Sequence, residues 1–148
     1  MADLEHRVLR LWVRPTAGAP VEERDHLVLK VGHGVEGDHT AGSTRQITLL
    51  FEEEWHGAEE ELGRSVDPSG RRANVLLSGG GGSQWIGKTV ALGTCHIAIQ
   101  GETKPCFVMD QAADGLMDAL EGGRAGIWGR IEQGGTLRVG EESQLLSE

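Results

Sequence analysis

Tyrosine is absent from this chain of 148 residues and phenylalanine occurs twice, whereas glycine occurs 23 times. Glycines spread between short alternating apolar runs demand frequent turns, which predicts a mainly β architecture. A CxxC pattern is missing: the two cysteines are Cys95 and Cys106. A charged-then-apolar leader is missing too, and together these features point to a reducing cytoplasm. No apolar stretch approaches the length of a membrane span, so the expectation is a soluble protein without membrane partners. Positive charge is scarce, with 14 Lys and Arg against 23 Asp and Glu for a net charge of −9. This excludes a general attraction for nucleic acid or anionic membrane, and any anion site has to be local. There is no internal repeat, and the length fits a single domain over residues 1–148.

What is present reads as a succession of short strands. Leu9, Leu11 and Val13 fall on one side of an extended run from Arg7 to Val13, with Arg10 and Trp12 on the other. Further strands are predicted at Leu27 to Val31, Gln46 to Phe51, Val75 to Leu77, Thr89 to Leu92 and Cys95 to Ile99, where Cys95, Ile97 and Ile99 share a core face. Gly134-Gly135 reads as a hairpin turn, and Thr136 to Val139 as the last strand. Between Glu52 and Leu62 the period changes, placing Trp55, Ala58 and Leu62 on one helical face with a solvated acidic face opposite. A second helix is expected from Asp110 through Leu120, with Ala112, Leu116, Ala119 and Leu120 buried. Ser78 to Ser83 is linker-like in composition but lies inside the strand pattern, with Trp85 and Ile86 anchoring the chain after it. The fold class expected is a closed or nearly closed β-barrel with one or two short helices.

Three polar clusters lie at the ends of predicted strands: Asp38 and His39 with Arg45 and Gln46; Arg71, Arg72 and Asn74; and Lys104-Pro105-Cys106 with Arg124. Pro105 stiffens its corner and pushes Lys104 toward an extended conformation. If Lys104 shares a face with Cys106 it favours the thiolate, the form that attacks electrophiles or binds metal. Equally, free cysteine is among the most buried residue types, and Cys106 reads as well as a small core residue. Arginines fork toward carboxylate or phosphate, so Arg45, Arg71, Arg72 and Arg124 are candidates for an anionic cofactor, or for pairing with the many carboxylates. A transition-metal group of His33, Asp38, His39 and Cys106 has reasonable ligand types but no closed zinc spacing.

Taken in order, Gly34-Val35-Glu36-Gly37-Asp38, Arg45-Gln46-Ile47-Thr48-Leu49-Leu50, Arg71-Arg72-Ala73-Asn74-Val75-Leu76, Thr103-Lys104-Pro105-Cys106, Gly123-Arg124-Ala125-Gly126-Ile127-Trp128-Gly129 and Gly134-Gly135 before Val139-Gly140 resemble the MOSC domain. That domain forms the C-terminus of molybdenum cofactor sulfurase and also occurs as small stand-alone bacterial proteins. The resemblance runs from about Val31 to the C-terminus. It implies a barrel-like fold, a nearly invariant cysteine matching Cys106, and roles in binding the molybdenum cofactor, in sulfur transfer, or in reducing N-hydroxylated compounds. In the sulfurase the domain follows a pyridoxal-phosphate desulfurase, and no lysine-bearing desulfurase domain is present here. Many relatives carry a basic residue and then histidine after Gly-Asp, where this chain has His39 and Thr40.

The resemblance therefore implies a molybdenum-dependent reductase or sulfurtransferase. Cys106 would be the metal ligand or persulfide carrier, served by a cysteine desulfurase or redox partner and a small-molecule substrate. Asp38, His39, Arg45, Arg71, Arg72, Asn74, Lys104 and Arg124 would line the cofactor. The competing reading is a non-catalytic module for a small anion or a partner protein, with Cys106 structural.

Overall fold

The computed structural model describes residues 6–17, 20–105 and 107–147. Eight strands form one sheet: β1 (Val8–Val13), β2 (Glu22–Arg24), β5 (Ile47–Phe51), β6 (Val75–Leu77), β7 (Thr89–Leu92), β8 (Cys95–Glu102), β9 (Ile127–Gln133) and β11 (Ser143–Ser147), in the order β11-β7-β8-β9-β5-β6-β1-β2. A smaller sheet has the order β10-β3-β4 and is built from β3 (His26–Lys30), β4 (Gly34–Val35) and β10 (Gly135–Arg138). Pairing is antiparallel except between β5 and β6, which run parallel. A parallel pair needs a crossover, and α1 (Glu52–Leu62) supplies it.

The chain is mainly β with two helices, as expected, but neither sheet closes into a barrel by its strand ladders. β2 takes the outer side of β1 at Leu11, Trp12 and Val13. Only the beginning of β1 is left to approach β11, through one antiparallel bridge between Arg7 and Glu142, with the Val8 N–H donating to the Glu141 carbonyl at 2.8 Å. The last strand is β11, beyond the expected end at Val139. Gly134 makes no hairpin either: β9 pairs with β5 and β8, while β10 pairs with β3, so the chain changes sheets there. A Cβ on Gly134 would collide with the Leu29 carbonyl oxygen, which is why a side chain is not tolerated at that crossing.

Two apolar layers result. Val8, Leu11, Val13, Leu29, Ile47, Leu49, Cys95, Ile97, Ile99, Ile131 and Leu137 pack in one cluster that draws on both sheets. On the other face of the large sheet, Trp12, Leu50 and Leu76 pack with Trp55 and Ala58 of α1, and with Leu116 and Ala119 of α2 (Leu116–Ala119). The expected facing of β1 is half right. A register shift between Val8 and Arg10 turns Val8 inward and sends Leu9 to the helical layer with Trp12.

The second helix is shorter than its pattern. Phe107–Gln111 is a 3₁₀ turn, Gly115 breaks the run at φ 88°, and α2 keeps four residues. Asp110 still serves the α2 start, its carboxylate accepting the Met117 N–H at 2.8 Å. Of the expected buried side, Leu116, Ala119 and Leu120 are buried, but Ala112 is exposed and Ala113 is buried in its place. Of the two expected anchors after the glycine loop, Trp85 is buried and Ile86 is exposed. The acidic face of α1 does more than meet solvent. Glu54 accepts the Gly81 N–H at 3.0 Å, Glu59 accepts the Val66 N–H at 2.8 Å, and Glu61 pairs with Arg124 at 2.8 Å.

Candidate functional site

The segment entering β9 runs between β5 and β8, with Ile127 paired to Leu49 on one side and to Glu102 on the other. At Gly126, with φ 101°, a Cβ would strike the Leu49 carbonyl oxygen, so only glycine lets the backbone lie this close. The adjacent Ala125 carbonyl is a node. It accepts the Arg71 Nε–H at 2.5 Å and the Thr103 hydroxyl at 2.7 Å, while the Thr103 N–H donates to the Gly126 carbonyl at 2.9 Å. Three stretches far apart in sequence meet here, and Arg71 and Thr103 are both buried. From Thr103 the chain runs on through exposed Lys104 and half-buried Pro105. Cys106 lies outside the described residues.

Beside this node a groove of about 330 Å³ is lined by Pro20, Val21, Ser69, Arg72, Gln111 and Ala112. It brings the 3₁₀ turn Pro68–Arg71 against the turn Phe107–Gln111. Asp67 caps the first of these, its side chain accepting the Ser69 N–H at 3.1 Å. Arg72 ends that turn at φ 63° and ψ 37°, a left-handed conformation that is uncommon for a residue with a side chain.

Beneath Arg72 lies a buried ionic network centred on Arg14, a residue that the sequence motifs did not single out. The Arg14 Nη2 and Asp38 Oδ2 are 3.0 Å apart, with side-chain exposures of 8% and 0%. Asp38 Oδ1 also accepts the Arg14 backbone N–H at 2.7 Å and the Asn74 amide at 3.1 Å; Oδ2 takes the Thr40 hydroxyl at 2.5 Å. Arg14 Nη1 donates to the Arg72 carbonyl at 3.0 Å, and Nη2 to Asn74 Oδ1 at 3.1 Å. Asn74 in turn accepts the Thr48 N–H at 3.0 Å and donates to the Trp12 carbonyl at 3.2 Å. Burial pushes the Asp38 carboxyl upward, but the hydrogen bonds from Arg14 and Thr40 and the adjacent guanidinium outweigh it, leaving the pKa below the ordinary carboxylate value.

The structure thus joins Asp38, Arg71, Arg72 and Asn74 in one continuous region. It places the other expected residues differently. His39 is exposed and bound through its backbone N–H to the Arg14 carbonyl at 2.7 Å. Arg45 is exposed, and Arg124 reaches Glu61 and the Ala119 carbonyl on the helical layer. No group of three or more His, Cys, Asp or Glu among the described residues is arranged to hold a metal ion. No helix among the described residues is long and apolar enough to cross a membrane. Arg14 escaped the motif reading because its partners are 24, 26, 58 and 60 residues away, and nothing local distinguishes it from a surface arginine ending a strand.

Solved structures of similar shape include the YuaD protein from Bacillus subtilis, with a TM-score of 0.82 at 20% identity over 98% of this chain and 97% of that one. YiiM from Geobacillus stearothermophilus superposes with a TM-score of 0.77 at 18% identity, covering 95% of this chain and 75% of that one. YiiM from Escherichia coli gives 0.72 at 17% identity, covering 96% and 70%. At these identities the likeness is one of fold. No curated protein matches the sequence. A model of the MOSC domain matches residues 36–144, which takes in the Asp38, Arg71, Asn74 and Ala125 stretches just described, and the chain belongs to the MOSC domain family.

Proposed function

We propose that this protein binds the molybdenum cofactor or carries sulfur at Cys106, in support of reductive chemistry on N-hydroxylated compounds or of sulfur transfer. The observation that carries the reading is the Ala125 node. Arg71 and Thr103, from two separate family motifs, converge on the Ala125 carbonyl of a third, and Thr103 lies three residues before Cys106 in the chain. Membership of a family associated with the molybdenum cofactor supports the same conclusion.

The described residues fit an anionic group. Arg71 places a fixed guanidinium in the helical layer and Arg72 lines the neighbouring groove, which supplies local positive charge on a chain of net charge −9. Lys104 adds an exposed cation beside the corner. When bound, the cofactor supplies a metal already bound to sulfur, for which a soft thiolate is a suitable ligand. The chain's own contribution is to hold cations and the Thr103 hydroxyl in fixed positions.

In the sulfur-carrier form, the Cys106 thiolate attacks the terminal sulfur of a donor persulfide on a cysteine desulfurase. A new S–S bond forms on Cys106, the old one breaks, and the donor cysteine leaves as a thiolate, so no external oxidant or reductant is needed.

The test is the molybdenum content of protein purified without oxygen from a host that makes the cofactor, with Cys106→Ala as comparison. Metal near one per chain in the wild type and its loss in the variant is the result expected for metal ligation. Absence of metal from both, with a persulfide on wild-type Cys106 by mass spectrometry, selects the carrier form. Neither metal nor persulfide would leave the anion-binding module as the better reading.

A further inference from the structure

We infer that Arg14 is a positioning residue, which with Asp38 locks the turn from Arg71 to Asn74 in the shape that delivers Arg71 to the Ala125 carbonyl. This assigns Asp38 a role different from ligand contact. Its side chain is fully buried, and both carboxylate oxygens already accept hydrogen bonds from Arg14, Thr40 and Asn74. Nothing of it is offered to a ligand.

Stability alone does not account for such a pair. Replacing a buried ion pair with apolar residues of similar volume is often neutral or stabilising, so its retention asks for a geometric reason. The geometry supplies one. The Arg14 fork grips the turn at two places, the Arg72 carbonyl through Nη1 and the Asn74 side chain through Nη2. Between Arg71 and Asn74 the backbone reverses hand at Arg72, whose left-handed conformation persists in a non-glycine residue only where the surroundings over-determine it. Around that reversal the side chains part: Arg71 goes to the Ala125 carbonyl, Arg72 to the groove wall and Asn74 into the network. A lysine at position 14 would still pair with Asp38, but its compact ammonium lacks the planar fork that reaches both partners at once.

That the turn serves a functional site rests on the reading proposed above. That Arg14 sets its shape does not, so the experiment separates the two. In the full-length chain, Arg14→Lys is compared with wild type by melting temperature, by the HN–Hα coupling and Cα shift of Arg72, and by hydrogen exchange at the Arg71 Nε–H. Molybdenum per chain is measured on the same preparations. The expected result is a folded variant in which Arg72 leaves the left-handed region and the Arg71 Nε–H exchanges at least about tenfold faster as its bond to Ala125 opens. Adding Arg72→Gly, which adopts the left-handed conformation without help, is expected to restore the slow exchange.

An unchanged coupling and unchanged exchange in Arg14→Lys would overturn the assignment. So would faster exchange that Arg72→Gly leaves uncorrected, since that pattern marks general loosening. Should Arg14→Lys fail to fold, the apolar pair Arg14→Met with Asp38→Leu takes its place, and the same two outcomes decide. Wild-type protein lacking both metal and persulfide refutes the proposed function while the magnetic-resonance outcome still decides the role of Arg14.

Discussion

The substitution Asp38→Asn keeps the size and shape of the side chain and removes its charge, leaving the Arg14 guanidinium buried without a counter-ion. Breaking a buried pair by removing one partner costs about 3–5 kcal/mol. The lower end applies here, because an amide oxygen can still accept from the Arg14 backbone N–H, now at 2.7 Å. Against a typical total stability of about 5–15 kcal/mol, the variant remains folded but marginal. For a chain of this size each kcal/mol moves the melting temperature by about 2–4 °C, so a fall of about 6–12 °C is expected. Urea unfolding at pH 7, followed by tryptophan fluorescence and far-UV circular dichroism, measures it directly. The pH dependence has a definite sign. The folded carboxyl titrates below its ordinary value, so its contribution is complete above the unfolded pKa of about 3.9 and is lost as pH falls through the lower folded value. The gap between wild type and Asp38→Asn is therefore constant near neutrality and narrows in acid below pH of about 4. A neutral-pH difference under about 1 kcal/mol would refute the reasoning, since that is the range of an exposed ion pair and not of a buried one.

Gly126→Ala combines a positive φ with a collision against the Leu49 carbonyl, and should destabilise by more than about 3 kcal/mol while releasing the Arg71 and Thr103 bonds to Ala125. Urea titration together with exchange at the Arg71 Nε–H checks both halves, and a neutral variant would contradict the close approach of Gly126 to the Leu49 carbonyl. Cys95 is fully buried, and burial, followed by the Glu141 charge, raises its thiol above the ordinary pKa. In a Cys106→Ala background its reaction with a disulfide reagent at pH 8 should be slow in the native protein and fast in urea; equal rates would contradict the burial. Because the folded thiol pKa is the raised one, any contribution of Cys95 to stability is present below the unfolded value and fades in alkali as pH rises through the folded value.

Local pattern was enough for most elements. The continuous apolar run at Gln46 to Phe51 states a strand buried on both faces, and the period-two run at Cys95 to Ile99 and the helical period from Trp55 to Leu62 state their core faces directly, because each is set by neighbours within a turn of chain. Pattern erred where backbone irregularity intervened. The register shift after Val8 changes which residues of β1 face inward, and Gly134 carries the chain between sheets where two adjacent glycines read as a hairpin. The short strands β2 and β4 went unread because Glu22–Arg24 is exposed throughout, and Gly34–Val35, although buried, is too short at two residues to show a period.

The sequence by itself determined the family, the mainly β class and the membership of Arg71, Arg72 and Asn74 in one motif, since contiguous residues travel together whatever the fold does. Only the tertiary structure decided how those residues divide their work. That Arg71 meets Thr103 at the Ala125 carbonyl, that Arg124 goes to Glu61, and that Arg14 stands beneath Arg72 in a buried pair with Asp38 follow from strand order and crossing segments. The physical reason is one of range: a buried charge is tolerable only where distant donors and acceptors converge on it, and no local stretch of chain records which ones will.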